Sequence, residues 1–444
     1  MFRPVELIRQ ACALALVAVG AAAFAVLFRT AINAAFTALY HAHDVLRAFQ
    51  GLAWEWRLLV PAIGGLLAGS MSQIASRFKG GQGVGDVMEA VVLGQRHISL
   101  RLASSKALGS WFAIVSGGSV GREGPIIQFG GGLGGAIGPL FRLNEDQTRG
   151  LIAAGTAAGF AAAYNTPLAA VLFVVEIVTG VIALEVVLPA IVATPIATAL
   201  TRLAIGGGPI YGERGFTMHS DVELFGHALL GILAGFAGPA FMAMLARGEA
   251  VFARIHLPKP VCAGFGGAGV GALAVFLPEV TGNGYEAINL VLAGQVTVGL
   301  ALVLIVAKAV ATTASVSSGS PGGVFTPSLF IGAALGGAVG QTLTLLAAPG
   351  AIGAVGGYAL VGMAALIAAT THAPVLGAVM VFELSGDYAI VLPLLIATAM
   401  ATLVSRWIRP SSIYMEELDR RGKAWEITME GRRMKPSAEP DEPS

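Results

Sequence analysis

Charge is scarce in this chain: only 12% of its 444 residues are Asp, Glu, Lys or Arg, against a usual ~25%. A soluble globular domain does not look like this. Cysteine is nearly absent, with Cys12 and Cys262 far apart in apolar stretches, which supports neither a disulfide framework nor a zinc cluster. Neither sign of charge is in excess, since 27 basic residues against 26 acidic leave a net charge near +1, and that balance points to no nucleic-acid partner. Ten-residue segments of alternating polar and apolar character are missing, which rules out a membrane barrel. P-loop, haem and flavin signatures are missing too, so ATP-driven pumping has no support and no bound cofactor is expected.

What is present is hydrocarbon. Hydrophobic residues make up 55% of the chain and the mean hydropathy is +0.77, so the fold is expected to be all-α and embedded in a bilayer. Apolar runs of roughly 17 to 25 residues, the length that crosses about 30 Å of lipid, recur on the order of ten to twelve times. They extend from Ala11 to Trp407, and several are too short or too glycine-broken to cross alone. The first, Ala11 to Phe28, follows Arg3 and Arg9 as a signal peptide would, but it lacks a polar cleavage region and reads as a retained helix. Glycine is the other excess, with 60 residues, nearly double the usual share of ~7%. Scattered glycines suit close helix packing through small-xxx-small patterns. The clustered ones need another explanation.

Those clusters repeat. Gly117 to Gly138 reads GGSVGREGPIIQFGGGLGGAIG, and Gly319 to Gly340 reads GSPGGVFTPSLFIGAALGGAVG. A shift of 202 residues pairs Gly121 with Gly323, Pro125 with Pro327, Gly130 with Gly332, LGGA with LGGA, and Lys106 with Lys308. A shift of 207 then pairs Ala161, Pro167 and Glu176 with Ala368, Pro374 and Glu383. The chain is an internal duplication. It divides into a leading helix and connection (1–50), a first membrane repeat (51–205), a polar link (206–221), a second repeat (222–410) and a charged tail (411–444). The tail carries Arg420, Arg421, Lys423, Arg432, Arg433 and Lys435, which the positive-inside rule places in the cytoplasm, and its Pro- and Glu-rich end is expected to be disordered.

The glycine breaks carry the chemistry. In GREGP, Gly121 to Pro125, glycine permits torsions that other residues avoid and Pro125 suits the first turn of a helix. The result is a helix start at membrane depth, whose free N–H groups and partial positive charge attract an anion. The matching GGVFTP block, Gly322 to Pro327, offers a second such start, with the amides of Val324 and Phe325 free to donate. GQGVGD, Gly81 to Asp86, is a third, before a helix expected to begin near Val87. Backbone dipoles strip water from a halide without the full charge that would trap it, which favours passage over storage.

Glu123 stands among these donors. Its carboxylate either occupies the anion site when ionised and leaves it when protonated, acting as a pH-sensitive gate, or forms a salt bridge to Arg122 that staples two helices. Phe325, not a carboxylate, holds the corresponding region of the other half, and that asymmetry favours the gate. Lys106 either raises the potential felt by an anion, or pairs with a carboxylate or reaches toward an interface. His41 and His43 read as a surface loop, since a metal would need further ligands. GGSVG at Gly117 to Gly121 matches the G-x-S-x-G of serine hydrolases without the strand-to-helix context that gives it meaning, and GGGLGG at Gly130 to Gly135 lacks the βαβ unit of a dinucleotide loop. No enzymatic activity is expected.

Together GREGP, GGVFTP and PLAAVLFVVE at Pro167 to Glu176 resemble the CLC family of chloride channels and chloride–proton antiporters, over nearly all of residues 55 to 418. The resemblance implies two inverted-topology halves with tilted, partly half-spanning helices, and a homodimer with one pore per subunit in the bacterial inner membrane. It implies anion coordination by the amides of Val324 and Phe325, beside Gly121, Arg122 and Gly323, with Glu123 as the gate. Tyr414, in SSIYMEEL, matches a tyrosine whose hydroxyl helps hold the anion from the inner side in similar proteins; read from the sequence alone it is an interfacial anchor.

Two departures stand out. The family's GSGIP motif reads GQGVG here, so Gln82 stands where a serine contacts the anion. Its amide can still donate but also carries an acceptor. Exchanging members usually have a glutamate directly after the position of Glu176, and here it is Ile177, which cannot titrate. Glu176 either stands in for it, although one residue turns a helix by about 100°, or shares with Glu383 a structural role, capping or pairing within each half. The expectation is therefore a protein that passes chloride or similar small anions and is channel-like or weakly proton-coupled. Chloride–proton exchange is the alternative, and a sodium-coupled organic-anion carrier, for which no cation-binding cluster is visible, a remote one. Replacing Gln82 by serine is expected to alter the chloride-to-nitrate preference of liposome flux, whereas an identical preference would place Gln82 off the pathway.

Overall fold

In hydrocarbon the backbone must satisfy its own hydrogen bonds, and a chain with this composition does so by coiling into helices. The computed structural model describes residues 4–78, 83–94, 98–208, 210–212, 218, 220–348, 352–423, 425–428 and 431–434. Gln82, much of the 206–221 link and the end of the tail from residue 435 lie outside them. The chain runs α1 (Pro4–Tyr40), α2 (Val45–Gly51), α3 (Trp54–Ala75), α4 (Val84–Val92), α5 (Leu100–Val115), α6 (Glu123–Leu140), α7 (Glu145–Tyr164), α8 (Pro167–Leu172) and α9 (Leu184–Ile205). After the link come α10 (Glu223–Arg254), α11 (Lys259–Phe276), α12 (Tyr285–Leu292), α13 (Val298–Ser317), α14 (Phe325–Leu346), α15 (Val355–Thr371), α16 (Pro374–Ser385), α17 (Val391–Ile408) and α18 (Ile413–Asp419).

Eight helical stretches among the described residues are long and apolar enough to cross a membrane, and three apolar ones are shorter. The all-α membrane architecture expected from the sequence is present. One small exception is a hairpin of β1 (Trp425–Thr428) and β2 (Gly431–Met434), antiparallel with Trp425 opposite Met434, which nothing in the charged tail had signalled. Trp425 anchors it by burying its side chain.

The duplication appears as matched geometry. In the first half α6 packs on α7, and a Cβ at Gly130 would strike the carbonyl of Gly155; in the second, α14 packs on α15, and a Cβ at Gly332 would strike that of Gly362. The repeated glycines of the LGGA region are thus contact points, where any side chain would push two helices apart. Each half also breaks in the same way. Asn165 ends α7 in the left-handed region at φ 58° and Pro167 opens α8; His372 ends α15 at φ 58° and Pro374 opens α16. Beyond α8 the backbone widens into a π-helical segment, Phe173–Thr179, which carries Glu176 and Ile177.

The capping expected of Glu176 and Glu383 within each half is instead exchanged between halves. Glu383 accepts hydrogen bonds from Leu168 N at 3.0 Å and Ala169 N at 2.8 Å, at the start of α8. Glu176 accepts from Val375 N at 3.3 Å and Leu376 N at 2.6 Å, at the start of α16. Each half supplies the acceptor for the other's orphan donors, because α8 and α16 lie against one another. Alanine at either glutamate is expected to cost about 1–2 kcal/mol, the usual penalty for a lost N-terminal cap. Thermal unfolding in detergent measures it, and unchanged melting in both variants would rule out the exchange as a stabilising contact.

Candidate functional site

Two helices begin face to face where the halves meet. Gly121 and Gly323 form an antiparallel bridge, with Gly121 N donating to Gly323 O at 2.7 Å and Gly323 N to Gly121 O at 2.9 Å. Immediately after it, α6 starts at Glu123 and α14 at Phe325. The glycines are required here, since a Cβ on either would overlap the Glu123 carboxylate. That carboxylate, 2% exposed, lies across the amino end of α14: Oε1 accepts from Phe325 N at 3.2 Å and Thr326 N at 3.4 Å, and Oε2 from Thr326 Oγ1 at 2.8 Å. An acceptor-only carboxylate on free helix-end amides is the arrangement an anion would adopt there.

The geometry brings together Gly121, Arg122, Glu123, Gly323, Val324 and Phe325. It does not pair Glu123 with Arg122, because adjacent residues at a helix start point apart, and among the described residues Glu123 is held by α14 instead. The Phe325 ring is buried against Phe160 and Tyr164, with centroids 5.5 and 5.8 Å away. Reading the sequence missed Thr326 and Tyr164, whose hydroxyls lie 2.8 Å apart. The available signal was a threonine inside GGVFTP where the other half has Gly124.

A cavity of about 850 Å³ opens from this junction, lined by Glu123, Gly323, Val324, Lys106 and Tyr414. Tyr414 thus borders the same space as the junction, more than an interfacial anchor would. Gly83 and Val84 line it as well. There α4 begins at Val84, not near Val87, because the Asp86 carboxylate accepts from Gly83 N at 2.7 Å and closes the first turn. The tail then grips this helix. Arg421 donates to Asp86 at 2.8 Å and also pairs with Glu417, while Lys423 pairs with Glu89. Asp86 and Glu89, three apart in an apolar helix and fully or nearly buried, were the sequence signal for buried ion pairs; their partners, more than 330 residues away, were not readable.

Other candidates fall elsewhere. Lys308 shares the alignment of Lys106 but not its surroundings: its ammonium donates to the carbonyls of Val280 and Gly282, both at 2.9 Å, and sits over the Phe330 ring. Glu176 and Ile177 lie on the π segment and are not among the residues lining the cavity. His41 and His43 are exposed in the turn between α1 and α2. No group of three or more His, Cys, Asp or Glu suited to a metal occurs among the described residues.

Known proteins share this family profile and fold. Residues 64–406 match the family profile described as voltage gated chloride channel. A ClcB-like protein of Ralstonia nicotianae is 39% identical over 375 residues, covering 84% of this chain and 87% of the relative. The voltage-gated ClC-type chloride channel ClcB of Salmonella typhimurium is 34% identical over 381 residues, covering 84% and 89%. Among solved structures, a slow cyanobacterial Cl⁻/H⁺ antiporter superposes with a TM-score of 0.82 at 25% identity, over 95% of this chain and 99% of the other. A CLC-type fluoride/proton antiporter shares the fold with a TM-score of 0.76 at 23% identity, over 93% and 98%. With its paired broken helices, its glycine-bridged junction and a profile match across most of its length, the chain is a multi-pass membrane protein belonging to the voltage gated chloride channel (CLC) family.

Proposed function

We propose that this protein carries chloride, or a similar small inorganic anion, across the membrane through a route gated by Glu123. The observation that carries the proposal is the Glu123 carboxylate seated on the Phe325 and Thr326 amides, beside a cavity that reaches it from one side. An ionised carboxylate tethered at that point competes with a free anion at high effective concentration. Protonation removes its charge, and the same amides then serve the anion. Val324 and Phe325 supply donors, Gly121 and Gly323 let the carboxylate and the anion approach, Arg122 adds positive potential, and Tyr414 faces the anion from the cavity. Gln82, outside the described residues, is assigned to the same route on its sequence position alone.

The reading is channel-like or weakly proton-coupled movement. Ile177 offers no proton, and Glu176 is committed to the amino end of α16. Exchange is the second reading, favoured by the likeness to a cyanobacterial antiporter. The same proposal includes a homodimer in the bacterial inner membrane with a cytoplasmic C-terminus, the last supported by the basic cluster from Arg420 to Lys435.

Chloride efflux from proteoliposomes tests the gate. Wild-type flux is expected to rise as pH falls, because protonation vacates the site, and Glu123→Ala is expected to make flux independent of pH. A variant that keeps the wild-type pH response removes Glu123 from the role. In the same vesicles a chloride gradient is expected to drive little uphill proton movement, followed with a pH electrode; sustained pumping would select the exchange reading.

A further inference from the structure

The carboxylate of Glu123 is held by more than backbone. Its Oε2 accepts a hydrogen bond from Thr326 Oγ1 at 2.8 Å, and Tyr164 Oη lies 2.8 Å from the same hydroxyl oxygen. A threonine hydroxyl has one hydrogen and two lone pairs, and an ionised carboxylate only accepts. With the Thr326 hydrogen directed at Glu123, the hydrogen between Thr326 and Tyr164 must come from the tyrosine. Donation therefore runs in one direction, from Tyr164 to Thr326 to Glu123. All three side chains are buried, with exposures of 4%, 3% and 2%, and hydrogen bonds in such a chain strengthen one another.

The duplication shows that this chain is not a by-product of the fold. The position matching Thr326 in the first half is Gly124, and the position matching Tyr164 in the second half is Thr371. Gly124 has no side chain and the Thr371 hydroxyl donates to Ile367 O at 2.7 Å within its own helix, so the linked pair of hydroxyls stands where a carboxylate sits on the opposing helix end.

Resting on the gate reading above, we propose that Thr326, backed by Tyr164, is a positioning residue that holds ionised Glu123 in the closed position and so sets the pH at which the route opens. A donor that bonds the charged form favours that form. Losing it lets Glu123 take up a proton at higher pH, so the flux-against-pH curve moves upward. The other ionisable groups facing Glu123 are Arg122 on its own helix start, Tyr211 from the link and Tyr414 on α18, with Lys106 on α5 and Glu417 on α18 further along the cavity. The test substitutions leave all of them in place.

The experiment is chloride efflux from proteoliposomes of the full chain across a pH series. Thr326→Val keeps the branched shape without the hydroxyl, and its midpoint is expected to rise by about one pH unit, a tenfold change in the ratio of the two gate states. Thr326→Ser restores the donor and is expected to return the midpoint to wild type. Tyr164→Phe leaves the threonine donor unsupported, and a smaller upward shift is expected. Should Thr326→Val not fold, the Tyr164→Phe shift alone decides. An unmoved midpoint in Thr326→Val, or in Tyr164→Phe when the valine variant is lost, overturns the inference while a flat Glu123→Ala profile leaves the gate standing. A pH response retained in Glu123→Ala overturns both.

Discussion

A peptide amide in hydrocarbon has no water to donate to, and a helix that starts inside a membrane leaves up to four such donors in need of an acceptor. Breaking helices is what makes room for a route, so the route and the unmet donors arise together. This protein answers with carboxylates. Glu123 serves the start of α14, Glu383 that of α8, Glu176 that of α16, and Asp86 the Gly83 amide that opens α4. Of these four, only Glu123 itself borders the cavity. The proposed gate rests on that difference: at α14 the carboxylate itself faces the space from which an anion would arrive.

The size of the forces favours this construction over a fixed cation. A full charge about 4 Å from a halide attracts it by about 4 kcal/mol at an effective dielectric of 20, and a helix end with roughly half a charge by about half that. An anion that must both enter and leave is better served by the weaker pull. The buried cations obey the same logic. Lys308 spends its donors on the carbonyls of Val280 and Gly282, and Arg421 is shared between Asp86 and Glu417. Neither is left as an unscreened trap beside the Glu123 junction.

Much of the fold was legible because it rests on local rules. Apolar run length marked the spans, and the repeated Gly121/Gly323 and Gly130/Gly332 spacing marked the duplication and the breaks. Those positions tolerate no Cβ, so the requirement is visible residue by residue. The meeting of Glu123 with the Phe325 amide was readable only through duplication and resemblance, since it joins residues 202 apart. Other contacts between distant parts were not readable. Glu176 and Glu383 stood out as a matched pair, yet nothing in their spacing says that each reaches across to the other half. Thr326 sat inside a motif valued for its backbone, which hid its side chain. Asp86 and Glu89 are two carboxylates three apart in an apolar helix, but their partners lie in a tail whose basic residues suggested only a side of the membrane. The winding of Phe173–Thr179 into a π segment is not visible in the periodicity of the sequence.

Fold likeness does not decide between conduction and exchange, because antiporters and chains named as channels share the architecture, so the decision falls to individual titratable groups. Ile177 is apolar, and Glu176 is bonded to the Val375 and Leu376 amides. The remaining cavity carboxylates on α18 are paired too, Glu416 with Arg409 at 3.0 Å and Glu417 with Arg421. To take up a proton, either must surrender an ion pair, and for Glu417 that also disturbs the arginine securing Asp86 and hence the first turn of α4. A proton route through this side would therefore loosen the helix start that lines the cavity each time it operated. Within the proposed function, that coupling is the structural argument against an exchange route by way of α18.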